Sequence, residues 1–516
     1  MQPRDFDAYR HLPLRFGRRA GEAWSMASTF SGSGDPALSN PDLAPTTQAQ
    51  RTWRWWHFAA LWIGMTMCIP AWMLASGLID QGMSPAQAVA TVLLGNAIVL
   101  VPMLLIGHAG ARYGVPYAVL ARASFGVEGA KVAAVARAVV ACGWYGIQTW
   151  VGGTTLLALV SVALGRPVAG DPLPVLGIST AQLAAFAVFW AVQLFFVAKG
   201  MEMVKRLETW TAPAKIVICV ALTAWALSHT GGVAQAFGAH STFAAGAKPV
   251  TFASVFWPGL TAMVGFWATL ALNIPDFTRF ARSQRDQIVG QAIGLPIPMG
   301  ALAAMAVLAT AATRVVYGKA IWDPVELASH FQNIWVLIGL LVISIDTISC
   351  NIAANLVGPA YDFSALAPRW ISYRRGAWVT ALIAASILPW KLVASSSGYI
   401  FTWLIGYSAL LGPIAGIMIA DYWLLRRGVL EVGDLYVADG TYGYRRGWNP
   451  AAMIALVVAV APSLPGFLMA AAPQTFGGLD PVWATLYPYA WFVGAGVATV
   501  VYYALMRLTP RPVVAA

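Results

Sequence analysis

Runs of apolar residues, each about twenty positions long, recur from about Phe58 to Tyr503 and are separated by short polar or basic stretches. Roughly 20 residues of helix are needed to cross a hydrocarbon layer of about 30 Å. Lipid offers no partner to a free backbone N–H or C=O, so apolar stretches of this length have to be helical. A β-barrel would instead show short strands of alternating polarity. The pattern therefore predicts an all-α polytopic membrane protein of about 12 transmembrane helices. The expected spans are 58–79, 87–107, 134–163, 177–198, 207–228, 252–274, 287–313, 333–361, 377–392, 398–424, 449–468 and 484–508. The longest loops, near Gly231 to Val250, Gly428 to Asn449 and Pro473 to Val482, are too short for an independent domain.

Composition agrees with this reading. Of 516 residues, 59% are hydrophobic and only 10% charged, and the mean hydropathy is +0.67, outside the range of soluble globular domains. A net charge of +11 could suggest nucleic acid, but the charges gather in alternate loops, which points to a lipid bilayer and to no nucleic-acid partner. Arg4 to Arg54 precede the first span; Arg112, Arg122 and Lys131 follow the second, and Arg279, Arg282 and Arg285 the sixth. Arg369, Arg374 and Arg375, then Arg426, Arg427, Arg445 and Arg446, and finally Arg507 and Arg511 continue the series, while the intervening loops hold few basic residues. The positive-inside rule then places both termini in the cytoplasm of a cell whose inner membrane the chain crosses. Cys68, Cys142, Cys219 and Cys350 all lie in apolar segments, so a disulfide framework is not expected. Ser25 to Gln50 is rich in Ser, Pro, Asp and Gly and reads as a flexible tail, not a signal peptide.

Helix breakers stand where a plain lipid anchor would not need them. The first span carries Pro70 near its middle, and proline frees backbone acceptors by removing an N–H and clashing one turn back. The sixth has Pro258-Gly259 at its start, Gly265 near its middle and Pro275 at its inner end. Interruptions at matching positions of two halves point to an inverted-repeat carrier with its site between the breaks. Glycine and proline also occur in ordinary membrane helices.

Candidate ligand chemistry lies on three spans. Trp144 and Gln148 are four apart in the third span and share a helix face. The indole gives a flat stacking surface and the amide both a donor and an acceptor, a pairing suited to a planar ring with an O=C–N–H edge. Trp267, after Gly265 in the sixth span, could close a sandwich over such a ring. The eighth span runs from Ser344 through Asp346, Ser349, Cys350 and Asn351 to Asn355 and is unusually polar, so it must face the bundle or a cavity. Asn355 offers a second amide. The Ser349 hydroxyl could join freed carbonyls of the first span around a hard cation, which requires oxygen ligands. Bundle packing and interhelical hydrogen bonding are the alternative roles for these groups.

Together these stretches resemble the nucleobase:cation symporter-1 family. The likeness runs from Trp62 through Arg427. It includes Arg112-Tyr113-Gly114-Val115-Pro116, Arg122-Ala123-Ser124-Phe125-Gly126, Gly143-Trp144 to Gly153, Asn273-Ile274-Pro275-Asp276-Phe277-Thr278-Arg279, Asn351 to Asn355 with Pro359-Ala360, and Gly412-Pro413-Ile414-Ala415-Gly416 with Asp421-Tyr422. The resemblance implies a LeuT-like five-plus-five inverted repeat with two further C-terminal helices and alternating access. On it, residues 1–55 are a cytoplasmic tail, 56–425 the transport core, 426–448 a cytoplasmic loop, 449–508 the two added helices and 509–516 a second tail. It implies that Trp144 and Trp267 sandwich the substrate ring, that Gln148 and Asn355 bind its edge, that Phe266 and Cys68 complete the substrate set, and that Leu404 forms a thin gate. A sodium site would take carbonyls of Gly64 and Met67 and the Ser349 side chain. Cys68 stands where the hydantoin carriers have a glutamine, and Cys350 where they have a second ligating hydroxyl; a thiol is a poor ligand for a hard cation. Asp346, an ionisable group at membrane depth, is a proton-relay candidate. The coupling ion is thus Na+ or H+, and no other cofactor is implied.

The reading is a secondary active transporter importing a nucleobase, allantoin, hydantoin or purine-type ring by cation symport. A passive channel or a non-transporting receptor for such ligands is the alternative. An enzyme fits less well, because His11, His57, His108, His229, His240 and His330 are scattered without metal-ligand spacing, and no phosphate-binding loop or nucleophile elbow is present.

Overall fold

The computed structural model describes residues 35–508 apart from 169, 200, 239, 244–249, 329 and 331–333. Of the expected tail 1–55 only residues 35–55 are described, and the expected tail 509–516 lies outside the described residues. Among the described residues there are no strands, only three isolated bridges. Eight helices are long and apolar enough to cross a membrane, and the bent pair Trp55–Thr66 and Ile69–Asp80 makes a ninth. The other three expected spans are occupied by Thr180–Lys199, Met201–Thr230 and Tyr373–Ser386. Ordinal numbers below follow the twelve spans in chain order.

The breaks differ in detail from those expected. In the first span the helix ends at Thr66, resumes at Ile69 and turns through 58°. Its hinge is Met67–Cys68, and Pro70 sits in the first turn of the second half, where a missing N–H costs nothing. The sixth span passes through Pro258 unbroken and is interrupted at Trp267 itself, between Phe252–Phe266 and Ala268–Asn273. The ninth span stops at Ser386, short of the expected 392: Leu388 adopts φ 56° and Pro389–Lys391 forms a tight turn, because the residue before a proline is pushed out of the helical region. The tenth span begins with the wide-turn segment Gly398–Leu404.

Both ends of the described chain pack on one face of the bundle, the terminal face. The stretch expected to be flexible up to Gln50 is, from Asp35 onward, folded against that face. Leu38 and Leu43 are buried, Asn40 Nδ2 donates to Ser364 Oγ at 2.9 Å, and Thr46 Oγ1 donates to the Arg279 carbonyl at 2.6 Å. The polar residues that suggested disorder serve as hydrogen-bond partners for loop ends. The 426–448 segment packs there too, with Arg122 donating to the Leu435 carbonyl at 2.9 Å and Tyr436 to that of Leu43 at 2.8 Å.

Beneath this face the third, sixth and eighth spans meet around one guanidinium. Arg137 Nη1 lies 3.2 Å from Asp362 Oδ2, both side chains fully buried, and Arg137 Nε donates to the Thr269 carbonyl at 3.4 Å. A Cβ at position 358 would fall 2.0 Å from Arg137 Nη1, so only glycine leaves room for it. Removing one member of such a pair strands the other charge. Asp362→Asn is therefore expected to destabilise the protein by about 3–5 kcal/mol, read as a lowered Tm in detergent. The double change Arg137→Met with Asp362→Leu should cost less than Asp362→Asn alone.

Candidate functional site

A cavity lies beside the two breaks, lined by Met65, Cys68, Trp144, Gln148, Phe266, Trp267, Thr269, Leu270, Ala354 and Asn355. Each lining group is placed by its span. Cys68 is the extended residue at the first hinge (φ −129°, ψ 159°), where its N–H donates to the Thr66 carbonyl at 3.0 Å. Trp267 is the hinge of the sixth span. Asn355 is the last residue of the helix Ile334–Asn355, before the small break at Leu356 that precedes Val357–Leu366. Trp144 and Gln148 project from one face of the third span.

The aromatic walls are held by hydrogen bonds on their far edges. Trp144 Nε1 donates to Tyr407 Oη at 3.2 Å, and the indole packs edge-on against Phe266, Tyr399, Trp403 and Tyr407. Trp267 Nε1 donates to Asn96 Oδ1 at 2.9 Å, while Asn96 Nδ2 donates to the Val92 carbonyl at 2.8 Å. Phe266 meets Trp144 at 5.0 Å and Trp267 at 4.8 Å, edge-on to both. Edge-to-face contacts of this kind stabilise aromatic clusters beyond the area they bury.

All six residues expected to bind substrate, Trp144, Gln148, Trp267, Asn355, Phe266 and Cys68, line this one cavity. The expected cation residues Gly64, Met67, Asp346, Ser349 and Cys350 do not line it. Met67 forms the hinge beside Cys68. Ser349 Oγ donates to the Asp346 carbonyl at 3.0 Å within its own helix, which leaves the oxygen able to act as an acceptor. Cys350 brings the eighth span to the first, its thiol donating to the Met65 carbonyl at 3.8 Å. Leu404 is buried; a Cβ at Gly265 would lie 2.9 Å from its carbonyl and 1.9 Å from Ser408 Oγ, so the tenth span rests on the sixth where a side chain is missing. Among the described residues no cluster of three His, Cys, Asp or Glu could hold a metal ion.

Residues 45–494 match the family described as permease for cytosine/purines, uracil, thiamine and allantoin. The chain belongs to this permease family. It is 41% identical over 482 residues to a purine-uracil permease of Arabidopsis thaliana, covering 92% of this chain and 79% of the relative. To an allantoin permease of Bacillus subtilis (strain 168) it is 39% identical over 479 residues, covering 92% and 94%. The solved structure of Mhp1, a nucleobase-cation-symport-1 family transporter in a closed conformation with bromovinylhydantoin bound, superposes with a TM-score of 0.73 at 23% identity, covering 91% of this chain and 96% of that one. That likeness fixes the fold as the inverted-repeat, LeuT-like membrane class. The permease is a transporter and not an enzyme.

Sequence reading missed the groups that orient the walls. Asn96, a lone amide in an apolar stretch, was the available signal; Tyr399, Trp403 and Tyr407 of the tenth span were hidden among many membrane aromatics. Asn96→Leu strands the buried Trp267 N–H and is expected to cost about 1–3 kcal/mol, measured by thermal unfolding. Asn96→Leu combined with Trp267→Phe should cost less than the sum of the single changes.

Proposed function

We propose that this permease imports a nucleobase-like heterocycle by cation symport with alternating access, holding the ring in the cavity between Trp144 and Trp267. The observation that carries the reading is the coincidence of three aromatic walls and two amides in one cavity beside the breaks of the first and sixth spans. Flat, rigid surfaces fix the plane of a ring, and Gln148 and Asn355 read its edge through donors and acceptors. The kinship with permeases named for purines, uracil and allantoin agrees with that chemistry.

For the coupling ion two supports stand side by side. Carbonyls of Gly64 and Met67 at the first hinge and the Ser349 hydroxyl supply the oxygen donors a sodium ion takes, while the Cys350 thiol adds nothing for a hard cation. Asp346, buried in the eighth span, is the group able to carry a proton. Leu404, where the tenth span rests on the sixth, serves as the thin gate. Basic residues of the terminal face, Arg51, Arg112, Arg122, Arg279 and Arg426 among them, orient that face and both termini to the cytoplasm across the cell's inner membrane.

Reconstituted in liposomes, the protein should accumulate radiolabelled uracil, hydantoin or allantoin uphill. Collapse by a sodium ionophore assigns sodium as the partner; collapse by a protonophore alone assigns the proton. Trp144→Ala and Gln148→Ala should each abolish uptake with the protein still in the membrane. Equilibration without accumulation would make it a channel, and binding without flux a receptor.

A further inference from the structure

Away from the central cavity, a groove runs between the terminal-face ends of the second and tenth spans. The second span is the helix Pro85–Tyr113, and the tenth continues from Ile405–Ile419 into the wide-turn segment Ala420–Leu425. Leu105, Ile106, Leu120, Met418, Ile419 and Trp423 make most of the lining apolar, and none of them lines the central cavity. The groove adjoins the lipid-facing side of the bundle: Val101, one turn from Leu105, is 56% exposed, and Leu424, next to Trp423, is 49% exposed. Exposed aliphatic side chains on a membrane span face acyl chains, which are as apolar as they are.

Polarity rises along the groove in a fixed order. Val101, Leu105, His108 and Arg112 recur at one-turn intervals and form a single stripe of the second span. Leu105 is tied to the tenth span by Trp423 Nε1, which donates to its carbonyl at 3.1 Å. The His108 ring lies 4.8 Å from that indole, with Nδ1 2.9 Å from Tyr422 Oη. The Arg112 guanidinium stands 5.4 Å over the Tyr113 ring. A Cβ at Gly428 would fall 3.7 Å from Arg112 Nη1, so the backbone next to Arg427 borders the same rim. Aliphatic, then aromatic, then basic is the order of the acyl region, the interface and the headgroup level of a bilayer leaflet.

The charges at the rim are not balanced. Asp421 also lines the groove, but its carboxylate is answered by Arg426 Nε at 2.7 Å and by Tyr502 Oη at 2.8 Å. Among the described residues no carboxylate comes within ion-pair distance of Arg112 or Arg427.

We infer that this groove binds an anionic phospholipid, its phosphate at Arg112 and Arg427 and one acyl chain along Leu105, Ile419 and Trp423. The apolar lining accepts any lipid tail. The two unbalanced guanidiniums select a headgroup of net negative charge, because a zwitterionic one brings its own cation against them. A lipid held there bridges the second and tenth spans from outside the bundle. The inference is independent of which ring the permease carries.

Photolabelling tests this on the full-length protein in phosphatidylcholine nanodiscs doped with a trace of phosphatidylglycerol bearing a diazirine in one acyl chain. Label should map to the peptides that hold Leu105 and Ile419. The matching diazirine phosphatidylcholine at the same dose should label them at least about fivefold less, the factor carried by one basic group near a membrane surface. Arg112→Gln should lower the phosphatidylglycerol label by about the same factor. Leu105→Trp fills the groove and leaves the rim intact; it should lower the label similarly, and it carries the test if Arg112→Gln does not fold. Arg374→Gln with Arg375→Gln removes two exposed charges at the start of the ninth span and should leave these peptides labelled as in the wild type. Equal labelling by the two headgroups, or undiminished labelling in both groove variants, would overturn the inference. So would a loss in the ninth-span double variant as large as in Arg112→Gln, which would reduce the effect to general surface charge. Loss of the label on adding inorganic phosphate alone would assign the rim to a free anion and overturn it as well.

Discussion

In a hydrocarbon layer each backbone N–H and C=O has to find its partner inside the protein, so a helix can open only where other side chains back the opening. This permease opens two spans at depth, at Met67–Cys68 and at Trp267. Both openings are backed: the first by the Cys350 thiol on the Met65 carbonyl, the second by Asn96, which holds the indole of the hinge residue. The polar groups that could meet a ligand gather around these two points. The position of the cavity follows from where the backbone constraint is lifted.

The same constraint governs the buried polar side chains. Arg137, Asp362, Asn351, Gln193 and Thr149 are all sealed from solvent, and each is tied to a partner on another span or to its own backbone. Burying such groups costs stability unless they are bonded, and once bonded they specify one arrangement of the helices. Here the arrangement set is the seating of the eighth span on the third, with Asn351 at the level of the cavity and Asp362 toward the terminal face. The cavity amides are thus positioned by the same contacts that hold the spans together.

Much of this was legible in the sequence because lipid imposes lengths and faces. The twelve apolar stretches carried the span pattern, and Trp144 and Gln148 could be paired because four residues make one helical turn. What was not legible depended on distant partners. Pro70 and Gly265 announced interruptions, yet the hinges are Cys68 and Trp267, since a proline is harmless in a first turn and Pro258 is accommodated. Residues 35–50 read as flexible from their polar composition; Leu38 and Leu43, and the carbonyls that receive Thr46 and Asn40, are what dock them. Asn96 stood out as a lone amide in an apolar stretch, but its partner, 171 positions away, did not.

The contact between Met65, Cys350 and Gln148 has a further consequence for a carrier that must link an ion to a ring. The first hinge offers its carbonyls on one side, and the cavity offers the Gln148 oxygen on the other. One thiol touches both, donating at 3.8 Å and accepting at 3.9 Å. The Met65 carbonyl at the bend of the first span and the Gln148 amide thus share one partner. Coupling between two ligands is a difference in free energy between states that both of them sense. In this fold the first hinge and the cavity are joined through a single side chain of the eighth span.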